Sequence, residues 1–70
     1  MNHKEELKHL NSLSSNLKKI RKAKKLTQAD CAVDERTIRR IENENFNPSY
    51  LTLVQIAHGL DVKLSELLDF

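Results

Sequence analysis

The chain has 70 residues, a formal net charge of +2, and a single cysteine, Cys31. One domain is the most that this length allows, and so short a chain buries only about 60% of the surface its unfolded state exposes. That leaves no room for an enclosed substrate cleft, and one cysteine excludes an internal disulfide, so helix packing or a partner subunit has to supply the stability.

No apolar run reaches the roughly eighteen residues that a membrane span needs. The opening Met1-Asn2-His3-Lys4-Glu5-Glu6 is too acidic and polar for a secretory signal. The expectation is a cytoplasmic protein with no membrane partner. With one glycine and one proline, both beyond position 47, the sequence predicts helices almost throughout.

Leu7, Leu10, Leu13, Leu17 and Ile20 recur at spacings of three and four, the stripe of an amphipathic helix, interrupted by Asn11, Ser12, Ser14, Ser15 and Asn16. The interruption predicts a short first helix and then a second one that Ser14 or Ser15 caps and that runs through Lys25. Residues 1–13 are accordingly read as an N-terminal helical extension and 14–70 as the main domain.

Thr27 is a suitable N-cap for Gln28-Ala29-Asp30-Cys31-Ala32, and Asp34 for a helix carrying Ile38, Ile41 and Glu42. Asn45-Phe46-Asn47-Pro48-Ser49 reads as a loop. Ser49 then caps a helix with Leu51, Leu53, Val54, Ile56, Ala57 and Leu60, an apolar set broad enough for a central helix. Asp61 stands where a left-handed residue ends that helix, and a last helix spans roughly 63 to 69.

Lys18, Lys19, Arg21, Lys22, Lys24 and Lys25 crowd one stretch without a carboxylate. Alone, such a run is more often a solvated helix face than an anion-binding one.

Three segments in register narrow the choice: Leu26-Thr27-Gln28, Thr37-Ile38-Arg39-Arg40-Ile41-Glu42-Asn43, and Asn47-Pro48-Ser49, followed by Leu53, Ile56-Ala57 and Leu60. Together they resemble the lambda-repressor/Cro-like (XRE) helix-turn-helix regulators over roughly residues 15 to 68. The resemblance implies an all-α domain of about five helices that binds double-stranded DNA as a homodimer on a two-fold-related operator, most simply as a repressor. It places Gln28 at the opening of the first motif helix, against a base or phosphate, and Glu35, Arg36, Arg39 and Arg40 on the base-reading side of the recognition helix. Lys24, Lys25, Asn43, Asn47 and Ser49 become phosphate contacts, and Arg21 with Glu42 a partly buried structural ion pair. A guanidinium can donate two parallel bonds to guanine, whereas Glu35 would either accept from cytosine or pair with Arg39 one turn on.

In one respect the chain departs from the family: about four residues, including a turn glycine, are missing between Ala32 and Val33. Two outcomes follow. Either Asp34 caps the recognition helix behind a stunted helix of about five residues, or residues 27–45 fuse into one helix about 27 Å long whose Ile38 and Ile41 are covered by a second chain in a domain-swapped dimer.

His3, His9 and His58 are dispersed and no nucleophile has a neighbouring base, so neither metal, cofactor, small-molecule substrate nor enzymatic activity is expected. Cys31 is read as a small core residue. The rival to a DNA-binding regulator is a helical dimerisation protein or antitoxin that lost DNA reading with the shortened motif.

Overall fold

The computed structural model describes residues 2–31 and 33–70. Helix α1 spans His3–Ala23, a 3-10 turn spans Gln28–Asp30, and α2 (Glu35–Glu44), α3 (Tyr50–Gly59) and α4 (Leu64–Leu67) follow, with no strand among the described residues. At 1.5 Å per residue the 21-residue α1 is about 31 Å long, close to the 33 Å long axis of the molecule.

The expected break at Ser14 or Ser15 does not occur, and α1 is a single helix across the boundary between 13 and 14. Its N-cap is Asn2, whose Oδ1 accepts from the Glu5 N–H at 2.8 Å, and Glu5 and Glu6 in the first turn suit the positive end of the helix dipole. Ser14 is buried mid-helix, and its hydroxyl donates to the Glu42 carbonyl at 2.6 Å. That distant acceptor removes the competition with local backbone that makes serine a helix breaker.

α1 stops at Ala23, two residues before the expected end. Lys25 takes a left-handed φ of 58°, and the Leu26 N–H reaches back to the Arg21 carbonyl while the Lys25 N–H bonds to Lys22. This is a Schellman closure with lysine in the position glycine usually fills. Asp61 (φ 56°) closes α3 the same way, with Val62 N–H to Ala57 and Asp61 N–H to His58, as the sequence predicts.

The core joins Leu13 and Leu17 of α1, Ile38 and Ile41 of α2, Ile56, Ala57 and Leu60 at α3, and Leu67 of α4, with Cys31 at one edge. The fused helix over 27–45 is ruled out by this packing: Cys31 (ψ 157°) and Asp34 (ψ 133°) are extended, and Ile38 and Ile41 turn back into their own chain's core. The stunted alternative is the one observed, shorter still than five residues. The bent chain buries both isoleucines, each worth about 1.5–3 kcal/mol, within a single chain. The bend is held at both ends: the Asp30 carboxylate accepts from the Thr27 N–H at 2.8 Å, and Asp34 accepts from the Arg36 N–H.

α3 is less enclosed than its composition suggests. Leu53, Ile56, Ala57 and Leu60 face the core, but Tyr50, Leu51 and Val54 are exposed. On α1, Asn16 donates its amide to the carbonyls of Leu67 (2.6 Å) and Glu66 (3.1 Å), fastening the last turn of α4 to the long helix.

Relieving left-handed strain should stabilise the fold. Asp61→Gly is expected to raise the melting temperature by roughly 4–8 °C, corresponding to about 1 kcal/mol for a domain of this size. Thermal denaturation followed by circular dichroism checks it.

Candidate nucleic-acid interface

Helix α2 has two unlike faces because its residue pattern follows the helical period. Ile38, Ile41 and Glu42 point inward and are buried, while Glu35, Arg36, Arg39, Arg40 and Asn43 lie exposed on the other side. Asp34 opens the helix, its carbonyl accepting from Thr37 (2.9 Å) and Ile38 (3.2 Å) and its side chain from Arg36 at a long 3.4 Å. Asn45, left-handed at φ 53°, closes it.

A buried cluster fixes how α2 sits on α1. Arg21 donates from Nε to Glu42 Oε2 at 2.7 Å and from Nη2 to Oε1 at 2.9 Å, a bidentate pair, and its Nη1 donates to the Leu26 carbonyl at 2.8 Å. The side chains are 11% and 1% exposed. Burial by itself would raise the Glu42 pKa, but hydrogen bonds from Arg21 and Gln28 and the Arg21 charge outweigh it and hold the carboxyl below its ordinary value. The hydrogen bonds to Glu42 likewise raise Arg21. Burial pushes the Cys31 thiol up, with Arg21 pulling the other way. Asp30 is lowered by the Thr27 backbone N–H and then by the Thr27 hydroxyl.

The remaining sequence-predicted residues fall into distinct settings. Arg36 and Arg39 are exposed and make no side-chain hydrogen bond or ion pair among the described residues, and Glu35 forms no bridge to Arg39. Arg40 is engaged: its guanidinium stacks over Phe46 at 4.2 Å from the ring centre and its Nε lies 3.4 Å from Glu44. Gln28 turns inward, its amide donating to Glu42 Oε1 at 3.3 Å, so it is part of the buried cluster. The Ser49 hydroxyl caps α3, accepting from Thr52 N–H at 3.2 Å and bonding the Thr52 hydroxyl. Lys24, Lys25, Asn43 and Asn47 are exposed. The sequence reading missed Ser14 and Asn16 as cross-helix fasteners; both looked like helix interruptions, and nothing in the local pattern marks their distant partners.

A basic, solvent-facing helix face is thus held by a buried salt bridge behind a shortened turn. The helix-turn-helix family model matches residues 17–67, most of the chain. The protein belongs to the XRE-type, lambda-repressor/Cro-like helix-turn-helix family. No curated protein and no solved structure matches the chain significantly. Membership makes it a DNA-binding regulator of that type. Among the described residues no helix is long and apolar enough to cross a membrane.

The buried pair gives stability a defined pH dependence. Because the folded pKa of Glu42 lies below its ordinary 4.5, its contribution is complete above that value and is lost as pH falls through the lower folded one. At neutral pH Glu42→Gln should cost about 3 kcal/mol by stranding Arg21. The gap between variant and wild type should narrow as pH drops below 4.5, as read by urea denaturation across a pH series.

Proposed function

We propose that the protein is a transcriptional regulator, most simply a repressor, acting in the cytoplasm as a homodimer on a two-fold-related operator. The observation that carries this reading is the pair Arg36 and Arg39, exposed in the first turns of α2 and engaged by no other side chain, while the opposite face of the helix is clamped by Arg21 and Glu42. A recognition helix reads bases best from side chains that face outward near its N-terminus on a rigid support. Arginine there donates bidentately to guanine, each good pair discriminating by about 1–3 kcal/mol.

Base reading then rests on Arg36 and Arg39, with Glu35 able to accept from cytosine. Arg40 contributes from the other end of the helix, where Phe46 and Glu44 orient it. Gln28 bonds Glu42 with one amide N–H and keeps its second N–H and its carbonyl oxygen for DNA. Lys24 and Lys25, with Asn43, Asn47 and the Ser49 turn, supply phosphate contacts that set register without reading sequence. The extension proposed for residues 1–13 is carried by α1 from His3 onward and joins the domain at Leu13, which reaches the core. The reading invokes no catalysis and no cofactor, since binding alone regulates.

A lost DNA function is the less economical alternative. The shortened turn has not collapsed the motif, because α2 still packs on its own chain and presents its arginines outward.

Arg36→Ala and Arg39→Ala are expected to weaken binding to the cognate duplex by roughly tenfold or more while changing binding to random duplex much less; Lys24→Ala should weaken both alike. Wild-type affinity should fall by about a thousandfold between about 50 and about 200 mM salt as counterions are released. Fluorescence anisotropy titrations on an operator selected from a random library check these outcomes. Salt-independent binding, or equal losses on both DNAs for all three variants, contradicts the assignment.

A further inference from the structure

The shortened turn leaves a groove of about 430 Å³ lined by Val33, Asp34, Val54, Gln55 and His58. It runs between the segment leading into α2 and the outer face of α3. Leu51 and Tyr50, three and four residues before Val54, continue its apolar wall on the same face of the helix. They are 65% and 70% exposed, Val54 37%. Large apolar side chains grouped this way on so small a protein mark a surface that another molecule covers.

We infer that this groove is where a second copy of the chain docks, α3 against α3 about a two-fold axis. The inference rests on the homodimer reading and assigns it a face. The charges on the rim select the occupant. The groove carries one acidic side chain and one imidazole, Asp34 and His58, which form no ion pair among the described residues. An isologous interface must be self-complementary, so each contact occurs twice. Rotating a copy about an axis through the Val54 region brings Asp34 of each chain toward His58 of the other, closing two hydrogen-bonded pairs around a centre of Val33, Leu51 and Val54.

A second groove, of about 790 Å³ along α1 from Lys4 to Lys19, lacks this property. It sets Lys4, Lys8 and Lys19 against only Asp69 around Leu7 and Phe70. A two-fold contact there would bring lysines together, which disfavours self-association. A standard interface takes about 800 Å² from each partner, roughly a sixth of the 4864 Å² that the chain exposes.

Sedimentation equilibrium of the whole chain over a wide concentration range, without DNA, tests the assignment. Val54→Glu should raise the dimer dissociation constant about tenfold or more, because it buries a charge at the centre of the contact. Leu7→Glu should leave it unchanged. His58→Asp should loosen the dimer and His58→Arg tighten it, opposite shifts that a general loss of folding would not produce; circular dichroism confirms that each variant remains helical. A wild-type dimer untouched by Val54→Glu, or one broken by Leu7→Glu instead, overturns this face while leaving the homodimer intact. A chain that stays monomeric up to about millimolar concentration overturns the homodimer reading and this face together, without bearing on DNA binding.

Discussion

The bidentate contact between Arg21 and Glu42 is the point on which the arrangement of the helices depends. It spans α1 and α2 at 2.7 and 2.9 Å, and the third arm of the same guanidinium holds the Leu26 carbonyl just after α1 ends. Taking two charges out of water is costly, and only a pair with well-placed additional hydrogen bonds offsets the loss. Here Gln28 adds a bond to the carboxylate, and the Ser14 hydroxyl bonds the Glu42 backbone carbonyl. Little apolar surface is available in a chain of this length, so polar groups that accept only one geometry do much to set orientation.

That cluster also explains how the motif tolerates its missing residues. A longer first motif helix would position α2 through apolar packing along its length. Only a three-residue turn remains, Gln28–Asp30, and it carries no buried residue. Orientation is transferred to two other devices: the salt bridge from α1, and the capping carboxylates of Asp30 and Asp34 that fix the chain's direction on either side of the bend. Helix α2 is therefore anchored both from α1 and from the short turn before it, and its exposed arginines sit on a face opposite a buried one.

Much of this was legible in the residues. The apolar periods of Leu13, Leu17 and Ile20, of Ile38 and Ile41, and of Ile56, Ala57 and Leu60 mark core faces because a helix brings positions three and four apart to one side. The caps at Asp34 and Ser49 and the left-handed Asp61 are local chemistry between residues at most a few positions apart. Such features depend on the backbone within one turn, and a sequence carries that information directly. The Arg21–Glu42 pairing, by contrast, joins residues 21 positions apart and is legible only through the family resemblance that the three segments carry.

The tertiary structure decided whatever depends on a partner far along the chain. Ser14 reads as a helix breaker until a carbonyl 28 residues away accepts its proton, which makes α1 continuous. Gln28 reads in the sequence as a DNA contact, and the structure adds a hydrogen bond from its amide to Glu42, 14 residues on. The fate of the missing turn could not be settled from local propensities, since both a fused helix and a bent one satisfy them. It was settled by the burial of Ile38 and Ile41 against Leu17 and Ile56 of the same chain. Leu51 and Val54 look like core residues in the sequence because their periodicity is apolar, yet periodicity records only which side chains share a face, and whether anything lies opposite that face is a property of the packed molecule alone.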